Sequence, residues 1–353
     1  MSTFAHYRKN KAPLPKVYTL DDIEFAVSDE KAVIRAMADG FAAFSAGKFN
    51  VPPIQTMGAA PCALFAVSPH DAAQTCVKSG YITGDEYYVV KVAGGGWLAN
   101  ADVGMSPNTG LMQIYSQRTG RLEALLLDEG LLTEIRTAAA GALASSLLAP
   151  KDVRAVGILG TGVQARWQLR FLKNVTACRK CIVFSLDRLQ EFKAEMEAEG
   201  WDVTVAASVQ EMVEGSDLIH TVTPARAAVV QAAWALAQGE GFRGKHITNI
   251  GADAPGKQEM DPAIMAAADL LVTDSRLQTA ERGEFQHALK AGIITLDSIL
   301  EVGELLARPE LHRQPAGDHR LTIFDTSGVA VEDVQITKMV YEALQAKGVP
   351  SRL

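Results

Sequence analysis

The stretch VGILGTGVQARWQLRFL, residues 156–172, constrains this chain more than any other. Gly160, Gly162 and Ala165 form a G-x-G-x-x-A pattern between an apolar run and a helix-like segment. Alone the pattern is weak, and its surroundings decide its meaning. RAVGILG reads as a buried strand and VQARWQLRFLKNV as a helix. KCIVFSLD, WDVTVAAS and DLIHTVTP read as further strands, separated by the helices RLQEFKAEMEAEG and VQEMVEGS. KHITNIGA, DLLVTDS and GIITL complete the series as strands. Strands alternating with helices imply a doubly wound parallel sheet. Within it, Gly160 permits a tight turn, Gly162 removes a Cβ that would block a pyrophosphate, and Ala165 lets helix and strand pack closely. Free N–H groups at the helix start, flanked by Val163 and Gln164, then face the phosphates of a dinucleotide. Gln164 is also placed to line the pocket of the dinucleotide's reactive ring.

The end of the second strand normally reads the ribose. Here it is Ser185-Leu186-Asp187-Arg188. An acid such as Asp187 favours the 2′-hydroxyl of NAD, whereas Ser185 with the neighbouring Arg188 favours the phosphate of NADP. Both elements are present, so the sequence leaves NAD or NADP open. Thr221 and Thr223 close another strand and are candidate cofactor contacts.

The residues before this sheet have a different texture. A segment around Val33, Ile34, Met37, Phe41 and Phe44 repeats at three and four and reads as a helix capped by Ser28. EYYVVKVAGG reads as a strand, and GLMQIYSQRTGRLEALLL as a hairpin turning at Arg118-Thr119-Gly120. LTEIRTAAAGALASSLLAP reads as a small-residue helix with Thr133 at its N-cap and a stop at Pro150. The fold class is therefore α/β, a Rossmann-type sheet inserted into a second, α+β domain. The boundaries expected are 1–135 plus 326–353 for the α+β domain and 136–325 for the inserted one. The last helix, VAVEDVQITKMVYEALQAKG, folds back on the first part.

A formal net charge of −7 argues against nucleic-acid binding by phosphate neutralisation. No apolar run approaches the roughly 18 residues of a membrane span. The polar, basic N-terminus lacks a secretory h-region and reads as an arm against a partner subunit. Cys62, Cys76, Cys178 and Cys181 are too few for a disulfide framework and fit a reducing, cytoplasmic setting. The CRKC pair reads as two bland cysteines at a strand edge, since no second ligand pair accompanies it. His220 reads as core.

Five segments together resemble the ornithine cyclodeaminase / μ-crystallin family: KVAGGGWLAN, the block from GLMQIYSQRTG through IRTAAAGALA, GILGTGVQA, NIGADAPGKQEMDP and FDTSGVAVED. The resemblance implies NAD(P)-dependent chemistry on small 2-amino or 2-imino acids, in a homodimer whose α+β domain binds substrate and forms the dimer. It implies that Arg136 grips the substrate carboxylate, for which a guanidinium fork is suited. It implies that Lys91 contacts the carboxylate and the reacting centre, and that Asp253 is the acid–base group. Ser327 and Gly328 lie near the cofactor by the same resemblance, with Asp333 in the helix after them. Lys257 and Glu259 read as structural loop residues. Two departures bear on substrate. Many members carry an arginine as a second carboxylate grip where this chain has the neutral Gln55, in Pro53-Ile54-Gln55-Thr56. The lysine strand also runs into Gly94-Gly95-Gly96-Trp97, which places Trp97 at the pocket. The reading favoured is an imine reductase or amino-acid dehydrogenase. A cyclodeaminase of ornithine or lysine, and a non-enzymatic cofactor-binding protein resembling μ-crystallin, are the alternatives.

Overall fold

The computed structural model describes residues 13–58, 73–97, 100, 103–236, 242–315 and 317–353. The N-terminal arm and Cys62 lie outside them. The chain divides into two compact units. One holds the chain up to Ser28, Val51–Leu131 and Thr337–Leu353, and the other holds Asp29–Asn50 and Leu132–Ile336.

The first unit is built on a sheet of β1 (Lys16–Thr19), β2 (Gln55–Met57), β3 (Gln74–Ile82), β4 (Tyr87–Gly95), β5 (Thr109–Ser116) and β6 (Leu122–Leu127). Its order is β1-β6-β5-β4-β3, with β2 on β3. All these pairs are antiparallel except β1 with β6. The Tyr/Val-rich run forms β4 because branched and aromatic side chains suit a pleated surface. The expected hairpin turn is present, with Gly120 at φ 67° and Ser116 N–H donating to Arg121 O at 3.0 Å.

The second unit carries the parallel sheet: β7 (Val156–Leu159), β8 (Lys180–Phe184), β9 (Asp202–Val205), β10 (Leu218–Thr221), β11 (His246–Asn249), β12 (Leu270–Thr273), β13 (Ile299–Glu301) and β14 (Thr322–Asp325). The order is β9-β8-β7-β10-β11-β14-β12-β13, parallel throughout. The order in which strands are added reverses between β7 and β10, and ligands of such sheets bind at that switch point. GIITL is not a strand. Gly292 at φ 68° and a 3-10 turn at Leu296–Ser298 bend the chain there, and pairing resumes at Ile299.

The helices used below are α1 (Glu30–Ser45), α2 (Leu131–Leu148), α3 (Val163–Leu172), α4 (Arg276–Arg282), α5 (Gln286–Lys290), α6 (Val302–Leu306) and the terminal α7 (Ala330–Lys347). Asp29, not Ser28, caps α1, accepting from Ala32 N–H at 3.0 Å. Thr133 lies inside α2, which starts three residues earlier than that cap implies, at Leu131. Its alanines are fully buried, as small side chains allow. Residues 29–50 were expected with the first unit but pack within the second. There α1 meets α6 closely, and Ser45 Oγ bonds Glu301 Oε2 at 3.0 Å. No helix among the described residues is long and apolar enough to cross a membrane.

Candidate active site

The glycine turn lies at the switch point. Gly160 has φ 111°, a Cβ there would sit 3.0 Å from Val222 O, and its N–H donates to Phe184 O at 2.8 Å. Only glycine fits that backbone. Gly162 is the N-cap of α3, and a Cβ there would meet nothing within 4 Å. Open space therefore lies before a helix start whose first N–H groups lack intrahelical partners. That cradle fits a dinucleotide pyrophosphate. Ala165 is fully buried behind it, and Val163 is partly exposed.

Beside the turn, Thr161 Oγ1 is within hydrogen-bond distance of Ser185 Oγ (3.0 Å) and Asp187 O (2.9 Å). Asp187 and Arg188 are exposed and 3.8 Å apart. The segment expected to read the ribose is thus tied to Thr161 within the glycine pattern. Gln164 Nε2 donates to Glu134 O at 3.2 Å, and Gln164 Oε1 accepts from Gln168 Nε2 at 3.3 Å. Gln168 Oε1 pairs with His220 Nδ1 at 3.0 Å, and His220 Nε2 with Ser145 Oγ at 3.1 Å. Burial lowers His220 to about 3, so it is a neutral core group holding the two glutamines in register. Cys181 is buried in β8 with its thiol pushed far up by burial, as suits a bland cysteine.

Asp253 follows β11 on a loop that neighbouring side chains pin. Its carbonyl accepts from Arg282 Nε at 3.0 Å. Gln286 accepts from Gly256 N–H at 2.9 Å and donates to Gly283 O at 2.8 Å. His287 Nε2 bonds Lys257 O at 2.9 Å. The Asp253 carboxylate is half exposed, with Lys257 Nζ 2.6 Å away. Lys257 is therefore the ion-pair partner of Asp253 as well as a loop residue.

Glu259 is fully buried and takes bonds from Thr221 Oγ1 (2.8 Å), Thr223 N–H (2.6 Å), Thr223 Oγ1 (2.8 Å) and Gly251 N–H (2.9 Å). Thr221, expected as a cofactor contact, is fully buried, and its hydroxyl is engaged by Glu259 and by Asn249 Nδ2 at 2.8 Å, so it shapes the loop. Thr223 remains partly exposed, but its hydroxyl is engaged likewise.

Arg136 is buried on α2, its Nη1 3.1 Å from Glu332 Oε2 and its Nε 3.1 Å from Asp333 Oδ1. A buried guanidinium requires such partners. Gly328 has φ 78°, and a Cβ there would lie 2.5 Å from Nη1 of Arg136. The Ser327 and Gly328 N–H groups donate to Asp274 Oδ2 at 3.0 and 2.8 Å, and Gln278 Nε2 donates to Ser327 Oγ at 2.9 Å. Gly328 thus packs against the Arg136 guanidinium, and Ser327 beside it is held by Gln278 and Asp274. Burial raises Glu332 to about 7 against the opposing pull of Arg136.

In the first unit Lys91 is buried in mid-strand on β4, and Gln55 is exposed on β2 opposite Val77. The Trp97 backbone N–H donates to Pro107 O at 3.1 Å.

The model of the ornithine cyclodeaminase/mu-crystallin family matches residues 16–348. The chain belongs to that family. It is 31% identical to the alanine dehydrogenase of Archaeoglobus fulgidus over 346 residues, 96% of this chain and 97% of that one. It is 33% identical to the iminosuccinate reductase of Paracoccus denitrificans over 263 residues, 73% and 77% of the two chains. The solved Δ1-pyrroline-2-carboxylate reductase of Thermococcus litoralis, in complex with NADH and L-proline, is similar with a TM-score of 0.82 at 27% identity. The match covers 96% of this chain and 100% of that one. Within this family member, sequence reasoning missed Glu332, Asp274, Thr161, Arg282 and Gln286. The signal for Glu332 was present: a cation near the start of α2 opposes the helix dipole and needs an anionic partner.

Proposed function

We propose that the protein is an NAD-dependent oxidoreductase of small 2-amino and 2-imino acids, working as an imine reductase or amino-acid dehydrogenase. The observation that carries this reading is the open cradle at Gly162, before the start of α3 at the sheet's switch point. The NADH-bound reductase above is similar over 96% of this chain. When bound, the nicotinamide supplies or accepts the hydride at the substrate α-carbon. The α3 N–H groups receive the pyrophosphate. Ser185, Asp187 and Arg188 meet the ribose, with Asp187 favouring the free 2′-hydroxyl. Gln164, steadied by Gln168, orients the ring. Lys91 and Arg136 hold the substrate carboxylate, and orientation of this kind supplies much of a catalyst's advantage. Asp253 moves the proton at the substrate nitrogen.

We also assign the protein to a homodimer in the cytoplasm. The face of β4 and β5 opposite Lys91 carries Tyr88, Val90, Val92, Leu111 and Tyr115, all half-buried, with Tyr88 and Tyr115 stacked at 4.7 Å. An apolar sheet face of this kind suits a second copy, and Cys76, Cys178 and Cys181 are free thiols. Light scattering on the purified protein reads the oligomer directly, and a monomer refutes the assignment.

A steady-state panel tests the activity: NADH and NADPH against glyoxylate, pyruvate, oxaloacetate and cyclic imines, with and without ammonia or methylamine. Oxidation of NADH supports the reading. Ammonia release from ornithine with no net change in NADH favours the cyclodeaminase instead. Cofactor binding with no turnover on any arm refutes an enzyme of this class.

A further inference from the structure

Arg166 follows the glycine pattern directly, in the first turn of α3. Its side chain is only 12% exposed. Nη1 donates to Thr161 O at 2.5 Å and to Gly162 O at 3.3 Å. On the other side Nε donates to Glu195 Oε2 at 2.5 Å, and Nη2 lies 3.5 Å from Glu191 Oε1. The guanidinium also sits over the Phe192 ring, 5.4 Å from its centroid. Glu191, Phe192 and Glu195 belong to the helix Leu189–Ala198, which follows Ser185-Leu186-Asp187-Arg188. A staple between two helices takes only the two carboxylates, so the bonds to the glycine turn serve something else.

A trans peptide is planar, so its C=O and N–H point in opposite directions. With Thr161 O bonded to Arg166, the N–H of Gly162 points away from the guanidinium. No residue among those described accepts from that N–H. Glycine tolerates many backbone angles, so nothing in Gly162 itself keeps this peptide from turning over and presenting a carbonyl to the ligand. The next peptide, held at Gly162 O by the same Nη1, carries the N–H of Val163, in the open first turn of α3. We propose that Arg166 is a positioning residue for the cofactor: by gripping the Thr161 and Gly162 carbonyls it presets the N–H groups of Gly162 and Val163 to receive the pyrophosphate. This rests on the proposed function, in which the α3 N–H groups take that group. Donors already aimed bind without the cost of ordering a loop at the moment of binding. Arg166 acts through the backbone, and its two carboxylate partners hold the fork in place for that task.

The test uses the full chain as wild type, Arg166→Met, Arg166→Lys and Arg170→Met. Arg166→Met keeps a stem over Phe192 and removes the fork. Arg166→Lys keeps the charge without the fork. Arg170→Met is the control: it cuts the neighbouring staple, in which Arg170 bonds Glu195 and Glu199 and not the glycine turn. Calorimetric titration gives the affinities for NADH, for ADP and for adenosine, which has no pyrophosphate. In Arg166→Met the affinities for NADH and ADP fall together by about ten- to a hundredfold, the range of one hydrogen bond to a charged group, while adenosine binds as it does to the wild type. Arg166→Lys stays weaker than wild type for ADP, and Arg170→Met binds all three as the wild type does. Three results overturn the proposal. Equal losses on ADP and adenosine show a general disturbance of the site. Wild-type ADP affinity in Arg166→Lys shows that charge alone suffices. A matching ADP loss in Arg170→Met shows that the helix staple is what counts. Should Arg166→Met not fold, Arg166→Lys and Arg170→Met decide by the same outcomes. A wild type that binds neither NADH nor ADP sinks the proposed function, whereas wild-type binding left unchanged by Arg166→Met refutes the role of Arg166 alone.

Discussion

Gly328→Ala separates backbone strain from a specific clash. At φ 78° an alanine pays for a left-handed conformation, about 1–2 kcal/mol. Its Cβ would also lie 2.5 Å from Nη1 and 2.9 Å from Nη2 of Arg136. The guanidinium is confined by Glu332 and Asp333, so it cannot yield without loosening a buried ion pair. Losing such a pair outright costs about 3–5 kcal/mol, and partial displacement adds on the order of 1–3 kcal/mol to the strain. Gly200→Ala is the matched control. Gly200 has φ 91°, and a Cβ there would meet nothing within 4 Å. It carries the conformational penalty alone. Urea unfolding of wild type and both variants gives the comparison, with the slope checked for constancy. Gly328→Ala should be the less stable of the two by at least about 1 kcal/mol. Equal losses would show that Gly328 is needed only for its backbone angle and that Arg136 moves freely.

Gly162→Ala should leave folding almost unchanged, because its backbone is extended and its Cβ position is open, yet weaken NAD binding about tenfold or more. Fluorescence titration reads it, and unaltered affinity places the pyrophosphate elsewhere. Asp253→Asn should lower kcat by about a hundredfold or more while NAD affinity stays near wild type; wild-type turnover removes Asp253 from the proton step. Asp325 is fully buried and raised by burial from 3.8 to about 7. The folded state therefore holds a proton that the unfolded chain releases between about pH 4 and 7. That stabilising contribution is complete below the lower value and is lost as pH rises through the upper one, with Glu332 acting in the same direction. Urea unfolding at pH 5 and pH 8 should show a flatter dependence for Asp325→Asn than for wild type, and an identical slope refutes it.

What the sequence disclosed and what it hid follow one division. The turn at Gly160 and Gly162, the hairpin at Gly120 and the strand around Lys91 rest on neighbours a few residues away. Periodicity and glycine geometry report such features directly. The ends of elements shifted where two local signals competed. Ser28 and Asp29 both suit an N-cap, and Asp29 took the role. GIITL has strand composition, but the turn chemistry of Gly292, Thr295 and Ser298 overrode it.

The site residues that stayed hidden owe their roles to partners far along the chain. Glu332 meets Arg136 across 196 positions, and Glu259 meets Thr221 across 38. Before folding, each reads as an ordinary charged residue in a loop or a helix. Burial then changes its chemistry: a carboxylate in the interior either takes several donors, as Glu259 does, or gains a cation, as Glu332 does. The placing of Lys78 opposite Lys91, 13 positions on, is hidden in the same way. Two lysines in successive strands are unremarkable until the register is known, and a slip of one residue would send them to opposite faces. Register fixes them side by side on one face of the sheet, which no motif spells out.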